Sequence, residues 1–164
     1  MAMRNLRTEG DDILLKRSRP VEKFDRRLWD LLDDMGETLA HYNGVGLAAV
    51  QVGILRRAFI VSLEEGEQPV EFINPQLLEQ SGSQEVIEGC LSYPGLWGII
   101  TRPDLVTLRA QERQGDWFEA EGEGLMAQAM LHEYGHLDGH AFKDDPTFTP
   151  LTEEEVEAMT SGEG

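Results

Sequence analysis

The sequence predicts an α+β fold in which antiparallel or mixed β-sheets surround a buried helix. Three observations carry this reading. An amphipathic helical pattern opens the chain, a series of short β-rich segments follows, and a second helical segment comes after the strands. Helix, strands, helix is the order of an α+β protein and not of alternating βα units.

From Asp25 to Tyr42 the apolar residues Leu28, Leu31, Leu32, Met35 and Leu39 recur at helical spacing and define one buried face. Asn43-Gly44 is the stop signal. A run of small and β-branched residues around one amide follows, from Gly44 to Gly53 and including Gln51. Arg57 to Leu63, Val70 to Ile73, Gln84 to Glu88, Leu105 to Ala110 and Trp117 to Glu121 read as strands. Asn74-Pro75, Ser81-Gly82, Pro94-Gly95, Arg102-Pro103 and Gln114-Gly115-Asp116 punctuate them as turns. The second helix runs from about Gly124 to Asp138. A short acidic helix is expected after it, because Thr152 and Glu155 have capping-box spacing.

At 164 residues the chain is expected to form one domain, with a core from about residue 12 to 142 and a short acidic tail over 150–164. Charged residues make up 27% and hydrophobic ones 40%, ordinary values for a globular protein. No apolar run approaches the ~20 residues of a membrane span, and Met1 to Gly10 lacks the apolar centre of a signal peptide. A cytoplasmic location is expected. The net charge of −17 is concentrated late, since Lys143 is the single base after Glu119. Such charge serves solubility, and no sequence cluster of Lys and Arg favours contact with nucleic acid. One cysteine, Cys90, excludes an intramolecular disulfide framework.

The strongest chemical signal is His132-Glu133-Tyr134-Gly135-His136. Histidines four apart on a helix share a face and can hold one metal ion, while the intervening glutamate reaches a water beside it. Leu125 and Ala129 lie on the same face, so the pair is expected to point inward. A hydrolytic metal site takes three protein ligands and keeps one position open. No third histidine or second acidic helix follows in the pattern of known HExxH peptidases. His140 continues the series, but Gly139 is expected to end the helix before it. Cys90 remains, and a thiolate with two imidazoles suits Zn²⁺ or Fe²⁺.

Three stretches together resemble the peptide deformylase family. They are Gly44-Val45-Gly46-Leu47-Ala48-Ala49-Val50-Gln51, Glu88-Gly89-Cys90-Leu91-Ser92 and His132-Glu133-Tyr134-Gly135-His136, in the family's order and spacing. The similarity extends from about Asp12 to Phe142. It implies a hydrolase that releases formate from the N-formylmethionine of newly made polypeptides. It also implies Cys90, His132 and His136 as ligands of one divalent ion, Fe²⁺ in the cell and Zn²⁺, Ni²⁺ or Co²⁺ in preparations. Glu133 would be the general base, because such an ion brings water near to ionisation at neutral pH. The Gln51 amide and the Leu91 N–H would donate to the developing oxyanion. Gly46 would leave room for a peptide lying alongside as an added strand, and Val45, Val86, Leu125 and Ala129 would wall a methionine pocket.

The chain departs from the family pattern at Gly135, where aspartate is usual. Arg102 is the expected partner of that missing carboxylate; its guanidinium would be left unpaired unless another acid or water replaces the aspartate, and weaker metal retention or lower stability is expected. Leu131 and Val50 are packing changes, and Gln128 places a polar group beside the methionine pocket. The acidic C-terminus lacks the basic helix with which some deformylases dock on the ribosome, so only proximity to the ribosome is expected. No membrane or nucleic-acid partner is expected, and the chain reads as a monomer. Two alternatives compete: a deformylase-like domain that binds metal or peptide without turnover, motivated by Gly135, and an HExxH metallopeptidase. The second leaves Cys90 and Gln51 without a role.

Overall fold

The computed structural model describes residues 2–64 and 66–161. Asp25 caps the first helix, α1 (Arg26–His41), by accepting a hydrogen bond from the Leu28 N–H. The helix ends where Asn43 takes φ +53°, a left-handed conformation that asparagine tolerates. Strands β1 (Gly46–Ala48), β2 (Ala58–Val61) and β3 (Val70–Ser81) follow, with a 3-10 turn over Ala49–Val52 after β1. Then come β4 (Gln84–Gly89), β5 (Trp97–Arg102), β6 (Leu105–Gln111), β7 (Trp117–Glu123), α2 (Leu125–Leu137), β8 (Thr149–Pro150) and α3 (Glu153–Ser161).

Two antiparallel sheets form, in the orders β1-β2-β3-β6-β7 and β4-β5-β8. β2 shows why the larger sheet is covered on both faces. Its side chains alternate with the strand period of two. Ala58 and Ile60 pack with Leu32, Met35 and Leu39 of α1, whereas Phe59 and Val61 pack with Met130 and Leu137 of α2. Phe59 lies opposite Phe72 of β3, and their rings stack with centroids 4.7 Å apart. The metal helix α2 is therefore a core element held between the sheets. Its last carbonyl, Leu137, accepts from both Arg57 Nη1 at 3.0 Å and the Ser18 N–H at 2.8 Å. A guanidinium at a helix C-terminus also complements the helix dipole.

Two expectations about strands are corrected. Asn74-Pro75 does not end β3, which continues to Ser81 through two register shifts, one between Ile73 and Gln76 and one between Leu77 and Glu79. Asn74 adopts φ +50° there, and a bulge accommodates the proline's missing donor. The Asn74 side chain accepts from the Val21 N–H at 2.7 Å and donates to the Val21 carbonyl at 2.9 Å and to Gln111 Oε1 at 2.8 Å. A local turn signal thus serves a long-range tie. Strand β5 escaped the sequence reading because Gly98 interrupts its apolar run. That glycine is needed, since a Cβ there would collide with the Phe148 ring. The capping box at the last helix forms as expected. Glu155 N–H donates to Thr152 Oγ1 at 3.1 Å, and Thr152 N–H donates to Glu155 Oε1 at 3.3 Å.

Another acid takes the place of the missing aspartate beside Arg102. Arg102 forks onto Glu88, with Nε 3.0 Å from Oε1 and Nη2 2.6 Å from Oε2. A Cβ built on Gly135 points elsewhere, toward His140, whose carbonyl oxygen would be 3.7 Å away. The glycine therefore leaves no charge stranded; its cost is that of a glycine inside a helix.

Two stability measurements follow from these packings. Gly135→Ala should stabilise the protein by about 0.5–1 kcal/mol in urea unfolding, because the site has room for a methyl group and alanine loses less backbone entropy. Asn74→Ala should destabilise it by about 2–3 kcal/mol in the same experiment, through three lost hydrogen bonds and a left-handed alanine.

Candidate metal centre and cavity

Three elements converge on one point. Helix α2 contributes His132, Glu133 and His136, the turn after β4 contributes Cys90, and the 3-10 turn after β1 contributes Gln51. The ligand atoms of Cys90, His132 and His136 all lie within 4.8 Å of one another. Cys90 Sγ is 3.4 Å from His136 Nε2, which is 3.3 Å from His132 Nε2. Among the described residues this is the group of three donors that satisfies metal spacing.

The surroundings orient these donors. Glu88 Oε2 is 2.6 Å from His132 Nδ1. Burial pushes the Glu88 carboxyl up, but hydrogen bonds from His132 and Arg102 outweigh it and hold the pKa at about 2. An ionised carboxylate only accepts, so His132 Nδ1 donates and Nε2 is left to face the cluster. Burial drives His136 far below the usual imidazole range, with His132 adding to the effect, so His136 is neutral and keeps a lone pair. Burial also opposes charge on His132, yet Glu133, Cys90 and Glu88 together raise it well above that range. The same surplus of negative charge favours a cation among the three donors, so the donor set fits a divalent metal ion.

Glu133 is 4% exposed, and its Oε1 is buried without a hydrogen-bond partner. Burial pushes its pKa up to about 7, where a carboxylate both takes and returns a proton near neutrality. The structure gives Gly46 a more specific reason than room for peptide. A Cβ on Gly46 would sit 2.7 Å from Glu133 Oε2, so the glycine makes space for this carboxylate.

Gln51 is fully buried. Its Oε1 accepts from the Ala48 N–H at 2.8 Å, while Nε2 donates to Ser92 Oγ at 3.1 Å and lies 3.7 Å from Cys90 Sγ. Cys90 O accepts from the Tyr93 N–H at 3.0 Å, closing a β-turn with Leu91 and Ser92 at its centre. That bond uses neither of the central N–H groups, so the Leu91 donor is free for another acceptor.

Gln51, Cys90, Leu91, His132 and Glu133 line one cavity of about 780 Å³. Gly46, Val45, Leu125 and Ala129 line it as well, but Val86 does not. Val86 packs instead toward Ile100 and Phe142 on the other face of β4, and its neighbour Ile87 takes the expected place in the wall. The sequence located the strand and missed its parity. It also missed Glu88 as the carboxylate behind His132, and Gln128 as its neighbour. Gln128 Nε2 donates to the Ile87 carbonyl at 3.1 Å and to Glu88 Oε1 at 3.3 Å. An acid directly after the apolar pair Val86-Ile87 and beside a glycine was the available signal for Glu88.

A second cavity, about 820 Å³, lies apart from these groups. It gathers Arg4, Arg19, Lys23, Arg27 and Arg56 with Glu22 and Asp25. Arg19, Lys23 and Arg27 are close in the sequence, and folding brings Arg4 and Arg56 to them. Arg4 is paired with Asp34 at 2.9 Å.

Residues 3–149 match the family model described as polypeptide deformylase. A peptide deformylase of Caldicellulosiruptor bescii is 48% identical over 161 residues, covering 98% of this chain and 95% of that protein. Peptide deformylase 1 of Bacillus subtilis is 44% identical, over 87% of this chain and 89% of its own length. The crystal structure of peptide deformylase from Thermotoga maritima superposes with a TM-score of 0.84 at 41% identity, covering 88% of this chain and 97% of that one. A Met-Ala-Ser-bound class I type b enzyme from Acinetobacter baumannii gives a TM-score of 0.80 at 32% identity, over 86% of this chain and 96% of that one. With the match spanning both sheets, α1, α2 and the whole donor cluster, the chain belongs to the polypeptide deformylase family, hydrolases that remove the formyl group from newly made polypeptides.

Proposed function

We propose that this chain hydrolyses the N-formyl group of formylmethionyl peptides at the Cys90–His132–His136 centre, with Glu133 as general base and then general acid. The observation that carries this reading is the buried, unpartnered Glu133 carboxylate oxygen, in a residue that shares one cavity with two of the three donors. Bound there, a divalent ion would supply Lewis acidity toward water and the formyl oxygen. Fe²⁺ is the proposed ion in the cell, and the same donors accept Zn²⁺, Ni²⁺ or Co²⁺ in preparations.

The chain's own groups account for the remaining steps. Glu133 takes the proton of the attacking water as the new C–O bond forms at the formyl carbon. The formyl oxygen gains charge, and Gln51 Nε2 and the Leu91 N–H donate to it. When the C–N bond breaks, Glu133 returns the proton to the leaving amine, giving formate and a free N-terminus. β1 and β4 are edge strands of their two sheets, and residues of both line the cavity. A peptide entering between them would lie alongside both edges. Val45, Ile87, Leu125 and Ala129 would form walls for the methionine side chain. The Met-Ala-Ser complex of the Acinetobacter relative supports a peptide in this position.

We also infer a single domain acting as a monomer in the cytoplasm, on nascent chains near the ribosome. No described helix is long and apolar enough to cross a membrane, and α3 opens with three glutamates where a basic docking helix would need cations.

Formate release from formyl-Met-Ala-Ser by anaerobically prepared, Fe²⁺-loaded protein is the direct test, and absence of turnover would overturn the reading. Glu133→Ala should lower kcat by about 10²–10⁴-fold with metal content unchanged, since it removes proton transfer and no ligand. In a competition titration with a chelator, Glu88→Gln should weaken metal binding about 10–100-fold, because a neutral amide supports His132 less well.

A further inference from the structure

Gln51 can serve an oxyanion only if its amide is held in one orientation. Its Oε1 is fixed by the Ala48 N–H and its Nε2 by Ser92 Oγ. Rotating the amide would set Nε2 against the Ala48 donor, so the oxygen cannot leave its place without a lost bond. Of the two Nε2 hydrogens, one goes to Ser92 Oγ and the other is directed at Cys90 Sγ, 3.7 Å away on the cavity side. Ser92 is completely buried and does not itself line the cavity.

The backbones of the same two residues are tied by a third segment. The Arg7 N–H donates to the Gln51 carbonyl at 2.7 Å, and the Glu9 N–H donates to the Ser92 carbonyl at 2.8 Å. Both donors belong to one stretch of three residues, so a single strap reaches both turns. The strap therefore joins the turn that carries Gln51 to the turn that carries Leu91, 40 positions further along the chain.

We propose that Ser92 and the backbone of the Arg7–Glu9 strap are positioning groups that hold the Gln51 amide and the Leu91 turn in register for the oxyanion. This rests on the deformylase reading and on the role given there to Gln51. Neither Arg7, Glu9 nor Ser92 lines the cavity, so each acts through another residue.

The test is a double-mutant cycle on metal-loaded protein with formyl-Met-Ala-Ser. Ser92→Ala should lower kcat about 10–100-fold with KM changed less than about threefold, as part of an oxyanion donor's effect is lost. In a Gln51→Ala background the same substitution should cost less than about twofold, because no amide remains to position. Full additivity would mark Ser92 as merely structural and overturn the proposal. Arg7→Pro removes the N–H and should lower kcat, while Arg7→Ala keeps it and should not; equal effects would also overturn the proposal. This pair decides the matter should Ser92→Ala fail to fold. In Zn²⁺-loaded, ¹⁵N-labelled protein the Gln51 side-chain amide should exchange its hydrogens faster in Ser92→Ala than in the parent. An active parent with an unimpaired Gln51→Ala variant would instead refute the role assigned to Gln51. Unimpaired Ser92→Ala beside an impaired Gln51→Ala would refute only the positioning.

Discussion

Glu88 is a buried carboxylate that accepts hydrogen bonds from three side chains on two elements, and the rest of the centre depends on it. Arg102 of β5 forks onto both oxygens, His132 of α2 meets one, and Gln128 of α2 meets the other. A lone carboxylate at this depth would be strongly disfavoured, and these partners make its ionised form the stable one. The same contacts pin the smaller sheet to the metal helix. Orientation of a ligand and cohesion of two layers are thus one interaction, and neither can be altered alone.

The opposite arrangement governs Glu133. Its neighbour in the sequence, His132, has a satisfied ring, whereas one oxygen of Glu133 is buried with no partner. Burial without a partner disfavours charge and brings the proton affinity close to neutrality. Two carboxylates within one site therefore differ by about five pKa units, from about 2 to about 7, because one is hydrogen-bonded and the other is not. Gly46 keeps this contrast possible by leaving the space that Glu133 occupies. Any larger residue on β1 would displace the carboxylate before it touched a substrate.

Of the departures of this chain from its family, Gly135 falls outside that arrangement and Gln128 within it. Gly135 stands on the helix toward His140, away from Glu88 and Arg102, so the support of the first histidine is complete without an aspartate. Gln128 contributes to that support by sharing Glu88. It therefore belongs to the metal helix's anchoring as much as to the cavity wall.

The sequence by itself determined the α+β class, both long helices and the capping box, and it singled out the groups that the fold brings together. Periodicity, turn residues and motif spacing are local properties, and the His132–His136 pair is set by the pitch of a single helix. Cys90 and Gln51 were recognisable because each lies inside a short run of unusual composition. Only the tertiary structure decided which groups meet across the chain. Glu88 as the partner of Arg102 and His132, Asn74 as a tie to Val21 and Gln111, and Ile87 in place of Val86 all depend on register and long-range approach. A strand's parity shifts every side chain to the other face when it moves by one residue, and no local pattern fixes it. The strap that joins Gln51 to Ser92 is hidden for the same reason. Its bonds are made by backbone N–H groups, which every sequence carries and only a fold can aim.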